Sequence, residues 1–190
     1  MKKIIIGVVA RANKINNKDF IGTYNNYLKM IIKCGGIPVI IKPYDYDNLI
    51  YLLNLCDGIL SPGGDDYDNY DLFIYDYCIK KDIPYLGICL GFQIMSGKLT
   101  NVNNHYNTYH KVYLNKQSKL YKIYNKETLL VNSRHHQKIV RTNDFVSSKA
   151  EDDTIESIEV LNKKFIVGVQ WHPEDLNDEL LFNEFIKNCL

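Results

Sequence analysis

Short apolar runs alternate with longer segments of helical period through the first half of this chain. The predicted strands there are residues 3–9, 37–41, 58–60 and 85–88, and the predicted helices are residues 23–33, 48–55, 72–81 and 90–95. Strands that are joined through a helix return to the same end of a sheet and pair in parallel. The pattern therefore predicts an α/β fold with a mostly parallel central sheet.

The second half of the chain has shorter apolar stretches without long helical segments between them. The predicted strands are residues 111–114, 129–131, 145–150, 155–160 and 165–169, and a closing helix is predicted at 178–189. This predicts a small antiparallel β portion added to the parallel sheet. Residues 101–107 are polar and rich in turn formers, so we expect a mobile loop there. Because no linker rich in proline, glycine or serine divides the sequence, we expect one domain over residues 1–190.

Composition limits the classes of function that the chain can have. Its 190 residues carry a formal net charge of +1, with 46% hydrophobic and 24% charged side chains. A chain of this size can bury a core without disulfides or metals. The balanced charge offers no electrostatic footprint for nucleic acid or an anionic membrane surface, and no segment approaches the ~20 apolar residues of a membrane span. Small-molecule chemistry is therefore the favoured class of function.

The cysteines and the beginning of the chain bear on where the protein works. Five cysteines is an odd number, and none are spaced as C-x-x-C, so we expect neither a disulfide framework nor a zinc ribbon. A reducing, cytoplasmic location is the simplest expectation. The basic start from Met1 to Lys3 precedes a short apolar run that resembles a signal peptide, but Arg11 follows at once. A first core strand is the favoured interpretation of that run.

The motif Gly87-Ile88-Cys89-Leu90-Gly91 lies between a predicted strand and a predicted helix. It is typical of a nucleophile elbow, in which a strained turn holds the middle residue with its side chain at the apex. Gly87 and Gly91 lack the Cβ atoms that would crowd each other in that turn. Amide donors and the helix dipole stabilise a thiolate at a helix N-terminus, so Cys89 is the candidate nucleophile. A small buried cysteine is the alternative interpretation.

A nucleophilic thiol needs a base, and the base works best when a third group orients it. The segment Trp171-His172-Pro173-Glu174 offers both groups. Proline disfavours the helical conformation for the residue before it, and side chains two apart in an extended segment point the same way. We therefore expect His172 and Glu174 to complete a Cys-His-Glu triad. The alternative is a strand end with an exposed histidine and a solvated glutamate.

Acyl transfer also requires donors for the developing oxyanion. Gly63 and Gly64 follow a predicted parallel strand, and their loop is expected at the sheet edge where the elbow opens. Gly63 or Gly64, together with the Leu90 amide, are the candidate oxyanion donors. Gln93 lies four residues after Cys89, on the same helix face, and is a candidate substrate contact. An ordinary tight turn and a surface amide are the alternatives.

Six polar residues, Asn-Ser-Arg-His-His-Gln at 132–137, follow an apolar strand and suit a binding loop. The candidate substrate-binding residues in it are Arg134, His136 and Gln137. The paired histidines, with His105 and His110, also invite a metal-site interpretation. Their spacing matches no standard site, so we expect no metal and no organic cofactor.

Two motifs in this order, LGICLGFQ at residues 86–93 and GVQWHPE at residues 168–174, resemble those of class I glutamine amidotransferases. Within that superfamily the chain is most similar to the gamma-glutamyl-gamma-aminobutyrate hydrolase group, also called peptidase C26. The shared features are PGGD at 62–65, VNSRHHQ at 131–137, the opening at 7–11 and the segment 27–43, which includes CGGIP at 34–38. The resemblance extends over nearly the whole chain.

The resemblance implies a flavodoxin-like three-layer α/β sandwich that hydrolyses a γ-glutamyl amide through a thioester. It implies roles for six residues: Cys89 as nucleophile, His172 as base, Glu174 as its orienting group, Gly64 and Leu90 as oxyanion donors, and Gln93 as a glutamyl contact. The chain departs from the group in a compressed segment between Gly64 and the helix at residue 72, and in Gly97-Lys98-Leu99, where a double glycine is usual. Both regions shape the pocket, so the leaving amine stays open.

Three functions are compatible with these residues. The first is a stand-alone hydrolase of small-molecule γ-glutamyl amides, with a homodimer as a possible assembly. The second is a glutaminase subunit that supplies ammonia to a synthase partner. The third is a catalytically inactive binding protein that has kept the fold, and it is disfavoured because each triad position carries the required chemistry.

Overall fold

The structure of the protein, a computed structural model, describes residues 3–42 and 44–190. Met1 and Lys2 of the signal-peptide-like start lie outside the described residues. The strands are β1 (Ile4–Val9), β2 (Arg11–Ile15), β3 (Lys18–Gly22), β4 (Gly36–Ile41), β5 (Gly58–Ser61), β6 (Tyr85–Ile88), β7 (Leu99–Asn101), β8 (Tyr106–Leu114), β9 (Thr128–Arg134), β10 (Gln137–Ile139), β11 (Phe145–Ala150), β12 (Ile155–Glu159) and β13 (Ile166–Val169). The helices are α1 (Asn25–Lys33), α2 (Tyr46–Leu55), α3 (Asn69–Lys81), α4 (Leu90–Ile94), α5 (Lys119–Tyr124) and α6 (Glu179–Asn188), with a 3₁₀ turn at Pro173–Asp175.

Nine of the strands form one mixed sheet in the order β4-β1-β5-β6-β13-β12-β11-β8-β9. The first five strands of that order are parallel, and the remaining four continue the sheet in antiparallel pairs. Two antiparallel ribbons, β2–β3 and β7–β10, stand apart from it. The predicted α/β architecture, parallel first and antiparallel in the C-terminal half, is confirmed.

Helices cover both faces of the parallel strands and make three layers. Over one face, α1 and α6 bury apolar side chains against β1 and β13, among them Tyr27, Met30, Ile31, Phe182 and Phe185. Over the other face, α2 and α3 bury Leu49, Leu53, Ile74 and Cys78. Strands that are covered on both faces are apolar along their whole length, which explains why their runs are the clearest signal in the sequence.

Several elements differ from the sequence-based prediction. Helix α3 begins at Asn69 rather than Leu72, because the Asp68 carboxylate accepts hydrogen bonds from the amides of Tyr70 and Asp71 and caps an earlier turn. The hairpin β2–β3 was not predicted; its turn is Asn16-Asn17, both in the left-handed region, as a tight hairpin requires.

The interpretation of residues 101–107 as one loop is wrong at both ends. Asn101 is the last residue of β7 and Tyr106 is the first residue of β8, so only a short connection remains between the two strands. Strand β7 pairs with β10 through Asn101 and Gln137, which brings the first residue of the predicted loop beside the polar segment 132–137.

None of the helices in the described part of the chain is long and apolar enough to cross a membrane.

Candidate active site

Three neighbouring parallel strands, β5, β6 and β13, end at the same edge of the sheet. Ser61 at the end of β5 is in register with Gly87 of β6, and Ile88 of β6 is in register with Val169 of β13. The elbow at Cys89, the glycine loop at 63–64 and the segment containing His172 therefore start from adjacent strand ends. Ligands bind at this carboxyl edge in open α/β sheets.

The backbone at Cys89 has the strained geometry that the elbow motif predicts. Cys89 has φ 53° and ψ −102°, a positive φ that β-carbon-bearing residues rarely adopt. A Cβ added at Gly87 would lie 2.5 Å from the Gly91 carbonyl oxygen, and one added at Gly91 would lie 2.0 Å from the Ser61 carbonyl oxygen. The turn thus tolerates only glycine at both positions.

Cys89, His172 and Glu174 lie together in the structure. His172 Nδ1 is 2.7 Å from Glu174 Oε1, and the Cys89 side chain lies close enough to the imidazole to interact with it electrostatically. All three residues are more than nine-tenths buried. Burial alone lowers the pKa of His172, but the interactions with Cys89 and Glu174 outweigh it and raise that pKa to about 9. The ring is therefore a strong base that can hold a proton beside the thiol sulfur.

Asn132 holds the backbone of His172, a role that the sequence did not reveal. The His172 amide donates to Asn132 Oδ1 at 2.8 Å, and Asn132 Nδ2 donates to the His172 carbonyl at 3.0 Å. Asn132 is 7% exposed, so both hydrogen bonds are shielded from water. The polar segment 132–137 was the available signal, but it pointed to substrate binding rather than to the base.

Tyr27 of α1 also reaches the site, although its position on the helix indicates only a core residue. Its hydroxyl lies 3.5 Å from His172 Nδ1 and accepts a hydrogen bond from the Gly63 amide at 3.1 Å. Burial, together with the nearby Glu174 carboxylate, holds the pKa of Tyr27 well above its usual range. The phenol stays protonated and can donate toward the His172–Glu174 pair.

The three candidate oxyanion donors differ in their surroundings. Gly63 gives its amide to Tyr27, whereas the amides of Gly64 and Leu90 have no acceptor among the residues that the structure describes. A Cβ built on Gly64 would lie 3.1 Å from the Leu90 side chain, so these two residues are in contact. Gly64 and Leu90 are therefore the better-placed pair of donors.

Arg11 fixes the loop that carries Gly64. One of its terminal nitrogens donates to Ser61 Oγ and to the Pro62 carbonyl, both at 2.9 Å, and the other pairs with Asp71. Arg11 is 7% exposed. A cavity of about 230 Å³ opens beside Gly64. Its lining includes Arg11, Lys42, Asp65, Asp66 and Asp68.

The candidate substrate-binding residues lie around the same edge in different environments. Gln93 is 4% exposed, and its Nε2 donates to the Gln137 carbonyl at 3.2 Å and to Gln170 Oε1 at 3.1 Å. The exposed Arg134 pairs with Asp175 and comes within 3.7 Å of Glu174 Oε1. The exposed ring of His136 stacks on Tyr106 with centroids 4.2 Å apart. Their contact with substrate stays a prediction.

Two groups of side chains in the described part of the chain have the donor atoms to hold a metal ion. One comprises His172, Glu174 and Asp175, but His172 and Glu174 bind each other and Asp175 pairs with Arg134. The other comprises His105, His110 and Glu156 and has fewer protein partners. In the first group, the candidate triad uses His172 and Glu174, and Arg134 pairs with Asp175.

Together, the described side chains define a class of site. A cysteine on a strand-to-helix elbow, a buried histidine–carboxylate pair and converging loop amides are the parts of a cysteine-dependent acyl-transfer centre. Such an arrangement has the groups needed for a thiol to attack a carbonyl carbon, for an imidazole to transfer the proton and for amides to stabilise an oxyanion. The flavodoxin-like sheet places all three at one edge.

Comparison with known proteins identifies the family. The model of the family Peptidase C26 matches residues 4–69 and 66–174. A putative glutamine amidotransferase-like protein of Rickettsia prowazekii is 30% identical, with 93% of each chain covered. Gamma-glutamyl-gamma-aminobutyrate hydrolase PuuD of Escherichia coli is 27% identical over 100% of this chain and 94% of its own. A putative GMP synthase subunit from Thermoplasma acidophilum superposes with a TM-score of 0.76 at 19% identity, over 100% and 95% of the two chains.

This protein belongs to the Peptidase C26 family, within the class I glutamine amidotransferase-like superfamily. It is a hydrolase that acts on carbon–nitrogen amide bonds. The resemblance stated from the motifs is confirmed, and so is the flavodoxin-like fold that it implied.

Proposed function

We propose that this protein hydrolyses γ-glutamyl amide bonds through a thioester on Cys89. The observation that carries the proposal is the buried contact of Cys89 with His172, whose Nδ1 is held 2.7 Å from Glu174. Family membership adds the substrate class, because the Escherichia coli relative is named for a γ-glutamyl amide.

The reaction follows from the positions of these groups. The Cys89 thiolate attacks the side-chain amide carbonyl, and the tetrahedral oxyanion accepts hydrogen bonds from Gly64 and Leu90. Imidazolium at His172 then gives its proton to the departing amine, and the carbon–nitrogen bond breaks to leave a γ-glutamyl thioester. In the second half of the reaction, His172 takes a proton from water and the resulting hydroxide attacks the thioester carbonyl. The carbon–sulfur bond then breaks, which releases glutamate and regenerates the Cys89 thiolate.

Glu174 and Tyr27 serve this reaction through His172. The Glu174 carboxylate accepts from Nδ1 and thereby directs the other ring nitrogen, Nε2, to the thiol. Tyr27 supplies a neutral donor at the same end of the ring, and the Arg134 guanidinium, 3.7 Å from Glu174 Oε1, adds a positive charge on the exposed side. Neither Glu174 nor Tyr27 takes up or releases a proton during turnover.

We propose that the leaving amine extends toward the cavity beside Gly64, because Gly64 is both a candidate oxyanion donor and part of the cavity's lining. Carboxylates at Asp65, Asp66 and Asp68 line it, together with the cations of Arg11 and Lys42. This mixed lining favours a small polar amine over an apolar one. A polar amine can form hydrogen bonds with the charged side chains, whereas an apolar amine would displace water from them without replacing its hydrogen bonds. Both amines that carry a carboxylate and amines that carry a second ammonium group are therefore worth testing.

The test is glutamate release from glutamine and from a panel of γ-glutamyl amines and peptides. We expect the native protein to release glutamate from at least one panel member, and Cys89→Ala to lose ~10⁴-fold or more of that rate. Cys34→Ala is the matched control, because Cys34 is a half-buried cysteine at the end of α1 that forms no disulfide, and it should keep the native rate. Equal rates for Cys89→Ala and the native protein would refute the proposal.

A second candidate is a glutaminase that works with a synthase partner, supported by the fold shared with a putative GMP synthase subunit. The edge strand β4 also carries exposed apolar side chains at Ile37, Val39 and Ile40, which suits a protein contact, either with a synthase or in a homodimer. Turnover of the panel by the isolated chain favours the stand-alone hydrolase. Turnover of glutamine only after a partner is added favours the second candidate.

None of the five cysteines in the described part of the chain forms a disulfide. A thiol nucleophile works in a reducing environment, so we propose a cytoplasmic location for the enzyme.

A further inference from the structure

A second cluster of ionisable side chains lies in the antiparallel part of the sheet. Glu156 of β12 is completely buried, and three histidine nitrogens face one of its carboxylate oxygens. From Glu156 Oε1 the distances are 3.3 Å to His105 Nδ1, 3.3 Å to His110 Nε2 and 3.6 Å to His135 Nε2. These histidines come from the connection before β8, from β8 and from the segment after β9.

The cluster is poorly satisfied by hydrogen bonds. Within the described residues, neither carboxylate oxygen of Glu156 has a hydrogen-bond partner, and the same holds for the facing nitrogens of His105, His110 and His135. Buried polar groups are nearly always paired, and each exception calls for an explanation. A buried carboxylate is especially costly unless a cation balances its charge, and here that cation is either a protonated imidazole of the cluster or a metal ion.

We propose that His105, His110, His135 and Glu156 bind one divalent transition-metal ion of the zinc type. The donor atoms of His105, His110 and Glu156 lie within 4.8 Å of one another, so a single ion can reach all three. His135 Nε2 is 3.6 Å from Glu156 Oε1 but lies outside this group of three, so it would become the fourth ligand after a small movement toward the ion. Three imidazole nitrogens and one carboxylate oxygen would then make a closed set, which is typical of a structural rather than a catalytic zinc site.

The nitrogen–oxygen distances within the cluster fit the spacing of ligands around a metal ion better than they fit hydrogen bonds. Hydrogen bonds between nitrogen and oxygen end near ~3.2 Å, which is shorter than all three separations. Tetrahedral coordination with bonds of ~2.0–2.2 Å places neighbouring ligand atoms ~3.3–3.6 Å apart. The observed separations of 3.3, 3.3 and 3.6 Å match that spacing.

The outer partners of His105 and His135 also fit metal ligation, whereas His110 Nδ1 has no hydrogen-bond partner among the described residues. His105 presents Nδ1 to the cluster and places Nε2 3.2 Å from Asp152 Oδ2. His135 places Nδ1 2.8 Å from the Gln137 carbonyl, and an N–H donated there leaves the lone pair of Nε2 facing Glu156. Metal-bound histidines usually donate their other nitrogen to a carboxylate or a carbonyl in this way.

The site would brace the neighbourhood of the elbow. The Gln137 carbonyl that faces His135 also accepts from Gln93 of α4, and the Gln170 amide donates to the Glu156 carbonyl at 2.7 Å. One ion would thus join β8, β12 and the segment after β9, one hydrogen bond away from the helix that follows Cys89. This inference is independent of the proposed function and reverses the sequence-based expectation of no metal.

The experiment uses the full chain with Cys89→Ala, so that the candidate nucleophile cannot bind the ion. The protein is stripped with a chelator and titrated with Co²⁺, whose visible spectrum distinguishes tetrahedral coordination, and with Zn²⁺, while metal content and thermal stability are measured. We expect one ion per chain, a tetrahedral Co²⁺ spectrum that Zn²⁺ abolishes, and a Tm that rises with ion concentration.

Three variants locate the ion. His110→Asn should abolish stoichiometric binding, and Asp152→Asn should weaken it by about 10–100-fold, as expected for an outer partner. His136→Asn is the matched control, because this exposed histidine adjoins His135 but lies outside the cluster, and its binding should equal that of the parent. If His110→Asn fails to fold, Asp152→Asn and the Co²⁺ spectrum of the parent decide.

Two results would overturn the proposal. One is binding below one ion per chain, with a Tm that responds to pH but not to metal; protons rather than a metal would then satisfy the cluster. The other is stoichiometric binding that is equally strong in His110→Asn, Asp152→Asn and the parent, which would place the ion elsewhere.

Discussion

Asn132 offers a sharp test of how the candidate base is held. Asn132→Ala removes two buried hydrogen bonds, of 2.8 and 3.0 Å, from the amide and carbonyl of His172. Each buried group left without a partner costs ~1–3 kcal/mol, so the free energy of unfolding should fall by ~2–5 kcal/mol. In a chain of this size each kcal/mol lowers Tm by about 2–4 °C. The loss is measurable by denaturant and thermal unfolding.

The activity of Asn132→Ala should fall more than its stability explains. Freed from Asn132, the His172 backbone can shift, and a displacement of ~1 Å at a catalytic group costs on the order of 100-fold in rate. We therefore expect kcat for glutamate release to fall about 100-fold at a temperature where the variant is fully folded, with a smaller change in KM. The alkaline limb of the pH profile should also move, because the ring no longer sits in register with Glu174.

Ser157→Ala is the matched control for this experiment. Ser157 is completely buried and shares hydrogen bonds with Ser147 at 2.8 Å and Ser148 at 2.6 Å, so its removal also costs two buried hydrogen bonds. It should lose stability while it keeps the native kcat. If Asn132→Ala behaves like Ser157→Ala, with kcat and pH profile unchanged, the positioning argument is refuted.

Four further outcomes follow from the geometry. Glu174→Gln should lower the pKa of His172 from about 9 toward its ordinary value, so the alkaline fall in kcat/KM should move to lower pH. Because folding raises the pKa of His172, its protonation contributes fully to the free energy of unfolding below pH ~6.5. This contribution is lost as the pH rises through about 9, and it can be measured from the free energy of unfolding as a function of pH. Gly91→Ala places a Cβ 2.0 Å from a carbonyl oxygen of β5 and should yield little folded protein on expression. Arg11→Met leaves the buried Asp71 without its ionic partner and should cost ~3–5 kcal/mol in urea unfolding.

Each of these outcomes can be contradicted. An unchanged alkaline limb in Glu174→Gln would mean that Cys89 alone sets the pKa of His172. Normal folding of Gly91→Ala would show that the elbow can relax. For Arg11→Met, adding Asp71→Leu should recover the part of the lost stability that comes from the unpaired Asp71 charge. No recovery would show that the cost arises at Ser61 and Pro62, which also lose their donor.

The sequence predicted the parts of the fold and site that depend on neighbours in the chain. The elbow was predictable because the clash that excludes a side chain at Gly87 is with Gly91, four residues further on, whereas the clash at Gly91 is with Ser61 of β5 and depends on the fold. His172 and Glu174 were predictable as a pair because proline fixes the backbone between them. The parallel strands were predictable because burial on both faces makes them apolar throughout.

The contacts that the sequence did not reveal join residues far apart in the chain. Asn132 and His172 are 40 residues apart, and Tyr27 and His172 are 145 apart. Such pairings are set by the order of strands in the sheet, which local patterns do not encode. The sequence drew attention to the histidines of the metal-type cluster but not to Glu156. His105, His110, His135 and Glu156 have no motif spacing, and they meet only through the pairing of antiparallel strands.

The missed elements have local causes instead. Most of strand β3 is exposed, so it lacks the alternation of apolar and polar residues that marks a half-buried strand. Helix α5 has six residues, too few for a helical period to be recognised. Its capping serine, Ser118, was the available signal.

The most direct test of the thioester mechanism is to identify the covalent intermediate on Cys89. The native protein is mixed with the best γ-glutamyl substrate, quenched in acid within the first turnover and digested, and the peptides are analysed by mass spectrometry. We expect a glutamyl group on the peptide that contains Cys89. The group should be absent from the Cys89→Ala variant, and hydroxylamine should remove it. Turnover with no acylated Cys89 peptide, in a quench fast enough to trap the first turnover, would contradict the thioester mechanism.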